Sequence, residues 1–549
     1  MEKRLLLAMV LSILVLILYQ VLFIKPQRPE LMTAPARAEK TGAPEEKSQE
    51  EIPVKTNIPV PVPEAMRGVE EKEITVITPL YKARWTNRGA CLTSWRLNRY
   101  LNETNQALEI VSSLAEQMNI YPLSLRLEDK SLEAMANQAL YQVSTDSLVL
   151  AEGEKGSLKF YYSDGKSILI TKSFTFTGGT YDFETEISVY KDGQSVDFWI
   201  IWGPGIALRL LPGGKQPAMS AAGAAFYWPP KVARVAERKL KEKIEFASLL
   251  WAAYEDNYLA ALFLFPEGKG RAIFSKETIS LGEKEPPLSG YFLATTAPRI
   301  IRIGPKEIDS LKSFGHDAKK LINFGFFGAI VEVLLLALKF FHRAVPNWGV
   351  AIILMTLVIK IIFFPLTYSS TKSMAKMQEL QPKIKALQAK YKKAKRDLEE
   401  RRKLNEEMMK LYKEHGINPA AGCLPILIQL PVFIAFYRLL VVAIELRRSP
   451  FILWIKDLSS RDPYYILPVL MGITQYISQK MVPTSADPTQ KRLTLIMPIF
   501  MTIIFINFQS GLVLYWLTNN VLQIAQQYIM NRLMKPKKSQ VHGKKPKKK

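Results

Sequence analysis

The sequence predicts a polytopic α-helical membrane protein with six transmembrane helices and a β-sandwich domain held outside the membrane. Three observations predict it. Apolar runs of membrane-spanning length occur once at the start of the 549-residue chain and five times in its second half. Between them, from Glu73 to Ile303, apolar and polar residues alternate at period two with frequent turn signals. Lys and Arg collect in segments that a six-span path leaves on one and the same side.

The first run, Leu5 to Ile24, follows Met1-Glu2-Lys3-Arg4 and is long enough, at about 20 residues, to cross a roughly 30 Å hydrocarbon core. Lys25-Pro26-Gln27-Arg28 separates it from the Ala-x-Ala sequences at Ala34 and Ala36, so residues 1–24 read as a retained signal anchor rather than a cleaved leader. Residues 25–70 are rich in Pro, Glu, Lys and Ala and read as a flexible, partly extended tether. Residues 71–320 read as the β-sandwich. Leu158 to Tyr162 and Ser167 to Phe174 flank the turn Ser163-Asp164-Gly165-Lys166, and further turns are signalled at Gly178-Gly179 and Asp192-Gly193.

Residues 321–346 contain the apolar run Phe324–Phe341, which carries Glu332 and Lys339. As a seventh span it would set the N-terminus against the charge rule, so it reads as an amphipathic helix lying along the outer membrane surface. Residues 347–531 hold the other five runs, approximately Trp348–Tyr368, Cys423–Ile444, Tyr464–Met481, Leu493–Phe508 and Leu512–Ile529. Pro365 is expected to end the first of these helices. Residues 369–416 read as a helical hairpin, with Leu380, Ile384, Leu387 and Tyr391 on one stripe and Leu404, Met408 and Leu411 on the other. The hairpin and the acid-free basic tail 532–549 belong in the cytoplasm together with both termini, which leaves the large domain on the outer, periplasmic side.

The net charge of +24 is mostly this cytoplasmic bias and suits contact with anionic lipid heads or RNA; it does not describe a soluble DNA-binding protein. Cys91 and Cys423 fall in different regions and are not expected to pair. The chain has no G-x-x-x-x-G-K-[ST], no H-E-x-x-H and no C-x-x-C, and its four histidines, His316, His342, His415 and His542, are scattered. No cofactor, metal or catalytic centre is therefore expected, and the chain does not read as an enzyme. Asp182 and Glu184 have the form of a glycosidase pair but read as surface acids on a strand.

Lys360 lies inside an apolar run, where a charge costs roughly 2.5–3.5 kcal/mol on insertion scales. Two placements answer that cost. The lysine stem can snorkel toward the cytoplasmic interface, or the ammonium can sit in a polar groove with Thr356, one turn away, and the polar residues Gln429, Thr474, Gln475, Thr518, Asn519 and Gln523 of other spans.

Beyond this point the residues resemble a known family. Asn347-Trp348-Gly349, Phe364-Pro365-Leu366-Thr367, Ser373 to Met377 and Leu380 to Ile384 are similar to the second span and hairpin of the YidC/Oxa/Alb family of membrane protein insertases. The likeness continues through Asn418-Pro419, Gly422-Cys423, Pro425, Gln429, Pro431, Asp462 to Pro468, Gln479-Lys480-Met481 and Ser510 to Trp516. The layout of the first half is similar to the long form of bacteria with two membranes. The resemblance implies a bacterial inner-membrane protein whose five-helix insertase core encloses a hydrophilic groove, lined here by Lys360, Thr356, Gln429, Tyr515 and Trp516. It implies nascent membrane proteins, the ribosome, the Sec translocon and membrane lipids as partners. The ribosome would be met by Lys376, Lys383, Lys385, Lys392 and Lys393 of the hairpin and by Lys535, Lys537, Lys538, Lys544 and Lys545 of the tail, through attraction to ribosomal RNA. Two departures stand out. The groove cation is commonly arginine in the family and is Lys360 here, which keeps the charge and loses the planar fork. Asn507-Phe508-Gln509 stands where the family often has more aromatic and proline character. The outer domain resembles a mutarotase-like sandwich, though without histidines between Glu73 and Ile303 it is not expected to be a working mutarotase.

Two other classes compete. A secondary transporter could use Lys360 as a substrate or proton site, but such proteins usually show internal repeats with broken helices, and none is visible. A membrane-tethered carbohydrate enzyme would leave Lys360 unexplained.

Overall fold

A computed structural model describes residues 62–102, 104–206, 222–279, 287–391, 397–417, 424–481 and 488–533. The expected anchor, most of the tether, Lys392, Lys393 and the lysines of the tail lie outside the described residues. The chain forms two compact units, a β-rich one that ends at Ile322 and a helical one that begins at Asn323.

The β-rich unit is built from three sheets, of five, ten and five strands. Period-two sequence makes each strand two-faced. In Ile168–Thr177, residues 168, 170, 172, 174 and 176 point inward, and the strand pairs antiparallel with Lys155–Ser163 and Asp182–Lys191. The hairpin Lys155–Ser163/Ile168–Thr177 turns at Asp164, whose Oδ1 accepts the backbone N–H groups of Lys166, Ser167 and Ile168 at 2.9 Å each. Burial pushes the Asp164 carboxyl up, yet these backbone donors outweigh it and hold it at about 2. Gly165 follows at φ +73°, a conformation that only glycine adopts freely. One half of the ten-stranded sheet packs on the first small sheet through Trp85, whose indole meets Phe160, Phe174, Phe176 and Phe183. The other half packs on the second through the stacked pair Phe226 and Phe246 at 4.3 Å and through Tyr254 against Phe274.

The helical unit holds eight α-helices among its described residues: α1 (Gly328–Ala344), α2 (Trp348–Glu379), α3 (Gln381–Lys390), α4 (Leu398–Glu414), α5 (Leu424–Val442), α6 (Ile466–Met481), α7 (Pro488–Phe505) and α8 (Ser510–Leu533). Helix α1 buries Val331, Leu334, Leu335 and Leu338 and packs on α2 and α5, while Val333, Leu336 and Phe340 on its other side are exposed. Asn347 caps α2 by accepting the Val350 N–H at 3.1 Å and donates its amide to the Phe451 carbonyl at 2.9 Å.

Pro365 does not end α2. The helix runs on through it to Glu379, because within an apolar environment a proline forfeits one backbone hydrogen bond whereas stopping the helix would strand several. The first arm of the hairpin is thus partly a continuation of α2, and the chain turns only at Leu380, before Gln381-Pro382 opens α3. Helices α3 and α4 run antiparallel, joined by Lys383 Nζ to His415 Nε2 at 3.2 Å and by Lys390 and Tyr391 to Glu407 at 2.9 and 2.7 Å.

Among the described residues, α2 is long and apolar enough to cross a membrane on length and composition, and Ile428–Val442 and Ile496–Phe505 are shorter apolar stretches. Helix α6 is 16 residues long, and α8 interrupts its apolar sequence with Asn519, Asn520, Gln523, Gln526, Gln527 and Asn531.

Candidate functional site

Lys360 stands twelve residues into α2, about 18 Å along its axis from Trp348. Its Nζ donates to Gln523 Oε1 of α8 at 2.8 Å. Gln523 belongs to a polar ladder on α8 whose members, Trp516, Asn520, Gln523 and Gln527, recur at intervals of four, three and four and so share one face. Trp516 donates its indole N–H to Gln475 Oε1 of α6 at 3.2 Å, and Asn520 donates its amide to the Met471 carbonyl and Thr474 Oγ1 at 3.2 and 3.4 Å. Helix α8 thus presents polar groups to both α6 and α2, and it packs against both.

The other expected groove residues are placed as follows. Thr356 is buried and its hydroxyl donates back to the Ile352 carbonyl at 2.6 Å. Tyr515 is buried with its ring 4.7 Å from that of Phe436; Gln429 lies beside its hydroxyl, without a hydrogen bond of regular geometry. Trp516 packs on Phe433 and Phe505 at 4.9 and 5.4 Å. The structure therefore joins Trp516 to Gln475, sets Gln429 beside Tyr515, and gives Lys360 a partner, Gln523, that the sequence named only among the general polar residues of the spans. Asn520 was not singled out from sequence at all. The spacing along α8 was the signal that could have found it.

The electrostatics follow from composition. Helices α5, α6, α7 and α8 contain no Asp or Glu, and α2 contains only Glu379 at its far end. Among the described residues no carboxylate pairs with Lys360, whose acceptor is a neutral amide. No metal-binding group of His, Cys, Asp or Glu occurs among the described residues. What the arrangement offers chemically is a cation held by polar neighbours inside an apolar helix, an attractive place for an anionic or strongly polar group.

At the hairpin, Lys376, Lys383 and Lys385 are exposed. In the β-rich unit, Asp182 lies 3.6 Å from the buried Arg302. Burial raises the Asp182 carboxyl, with the Arg302 guanidinium opposing.

Residues 340–538 match the family described as 60Kd inner membrane protein, and residues 73–337 match the YidC periplasmic domain. The chain is 35% identical to the membrane protein insertase YidC of Geobacter metallireducens over 97% of its own length and 98% of the relative's. It is 37% identical to that of Geobacter sulfurreducens over 83% and 85%. Among solved structures it is similar to an active YidC insertase with its first transmembrane domain resolved, at 20% identity and a TM-score of 0.37, covering 85% of this chain and 95% of that one. With near-full-length identity at this level and both halves matched to the family's two parts, the chain belongs to the YidC family of membrane protein insertases.

Proposed function

We propose that this chain inserts and folds newly made membrane proteins in a bacterial inner membrane, alone or with the Sec translocon, through a polar groove centred on Lys360. The observation that carries the reading is an ammonium inside a long apolar helix, bonded across to Gln523, with no Asp or Glu in α5, α6, α7 or α8. The short hydrophilic end of a client enters from the cytoplasm, where polar neighbours and positive potential lower the cost of bringing its polar groups into the bilayer. At an effective dielectric of about 20, opposite unit charges about 4 Å apart attract by about 4 kcal/mol, which is enough to favour an acidic tail. The client's apolar segment then leaves into lipid, driven by about 25 cal/mol per Å² of apolar area removed from water.

In this reading the chain crosses the membrane six times, with α2, α5, α6, α7 and α8 as the five-helix core and both termini cytoplasmic. The β-rich unit is periplasmic. Helix α1 lies at the outer interface, its exposed Val333, Leu336 and Phe340 facing lipid. The α3–α4 hairpin and the basic tail meet the ribosome. The test uses liposomes holding the purified full chain and a single-span client with a short acidic translocated tail. Wild type and Lys360→Arg are expected to insert the client, and Lys360→Ala to lose about tenfold or more. Insertion by wild type no better than by empty liposomes sinks the reading.

A further inference from the structure

Lys360 is held by one neutral acceptor, and helices α5, α6, α7 and α8 contain no Asp or Glu that could neutralise it. Gln523 reaches it from α8, 163 residues further along the chain, from the same helical face that sends Trp516 and Asn520 to α6. An amide oxygen suits a temporary partner. It satisfies one ammonium N–H and fixes the direction of the side chain, yet leaves the full positive charge in place. A carboxylate at that point would fix the side chain equally well and cancel the charge.

The lysine suits the same purpose. Its ammonium is a point charge on a flexible four-carbon stem, with three equivalent donors that rotate freely. It can leave the Gln523 oxygen for an incoming carboxylate without breaking a two-pronged contact. The bond it would gain joins two ionised groups and adds the attraction of opposite unit charges, which the bond to the neutral Gln523 oxygen lacks.

We propose that Gln523 is the positioning and specificity-determining residue of this groove: its neutral amide holds Lys360 toward the groove and is exchanged for an acidic group of the client. The inference rests on the insertase reading, because it concerns the client that Lys360 attracts. It assigns to Gln523 a preference for acidic over neutral translocated tails that depends on the residue being uncharged.

The experiment places the full chain in liposomes with two versions of one single-span client, one with acidic residues in its translocated tail and one with the corresponding amides. The readout is the ratio of acidic-tail to neutral-tail insertion, which a general loss of folded protein does not move. Gln523→Glu is expected to lower this ratio about tenfold by pairing permanently with Lys360. The exchange variant, Lys360→Gln with Gln523→Lys, keeps the same two groups across the same gap and is expected to restore the ratio to within about threefold of wild type. If Lys360→Ala lowers the ratio and Gln523→Glu leaves it unchanged, the role of Gln523 is overturned while the insertase reading stands. If Gln523→Glu inserts neither client, the exchange variant decides: a wild-type ratio supports the proposal and a lost preference overturns it. If wild type inserts neither client, the underlying reading has failed, and the role of Gln523 goes with it.

Discussion

Lys172 occupies a place that the alternation of Ile168–Thr177 assigns to the core, between the buried Ile170 and Phe174, and it is itself fully buried. Its Nζ donates to the carbonyls of Gly89, Ala90 and Leu123 at 2.7, 3.2 and 3.2 Å, so the ammonium ties the ten-stranded sheet to two neighbouring loops. Replacement by Met fills much of the volume and leaves these carbonyls without that donor. At about 1–3 kcal/mol for each buried group left unpaired, partly offset by the apolar gain, Lys172→Met is expected to destabilise the β-rich unit by about 3 kcal/mol. Burial lowers the Lys172 ammonium below its ordinary 10.5. The sign follows from proton counts. Between the lowered folded value and the unfolded value the unfolded chain binds more protons, so this residue's contribution to stability rises with pH across that interval. Chemical denaturation of the full chain in detergent at several alkaline pH values is the check. The stability gap between wild type and Lys172→Met should widen as pH rises toward 10.5. A constant gap would mean that the amine is not desolvated.

At the scale of elements, the segment from the helix Ile308–Phe314 to Ile322 is strapped to the ten-stranded sheet by polar contacts. Arg302 donates to Ser310 at 2.8 Å, Trp251 to the His316 carbonyl at 3.2 Å, and Tyr227 to Asp317. Arg234 donates to the Lys320 and Leu321 carbonyls at 2.5 and 3.2 Å. Behind these bonds stands Glu255, whose side chain is 3% exposed and lies between Arg234 and Lys306 at 3.1 and 3.0 Å. Removing that charge leaves two cations facing a neutral group, so Glu255→Gln is expected to cost about 3 kcal/mol and to loosen the strap first. Native-state hydrogen exchange on the full chain checks this. Protection should fall across residues 308–322 before the strands at the far end of the sheet respond, and unchanged protection there would show that Glu255 does not hold the strap. None of this network was legible in the sequence, because its members come together through strand pairing that no local pattern encodes. The Asp164 turn was legible, since Ser163-Asp164-Gly165-Lys166 carries its own side-chain-to-backbone bonds. Helix α2 was legible in kind but not in length, because a proline that breaks helices in water is tolerated where water does not compete.

At the scale of the whole molecule, the division into a β-rich and a helical part was legible because it follows hydrophobic period, which changes from two to long unbroken runs near Asn323. The pairing of Lys360 with Gln523 was legible only in part. Lys360 announces itself by its apolar surroundings and the α8 ladder by its spacing, but the bond between them joins residues 163 positions apart and depends on how α2 meets α8. Charge is the other property that belongs to the whole chain. Eight lysines fall in residues 534–549 with no acid among them, and the net charge is +24. If this tail meets ribosomal RNA, each phosphate it neutralises contributes about 0.7–0.9 to the slope of log affinity against log salt. The full chain in nanodiscs of uncharged lipid leaves RNA as the polyanion available to the tail. Truncation after Leu533 should then weaken ribosome binding most at low salt and flatten the slope by several units, while the α3–α4 hairpin lysines retain a smaller salt-dependent share. A truncated chain with the wild-type slope would assign the ribosome contact to the hairpin and leave the tail to anionic lipid heads.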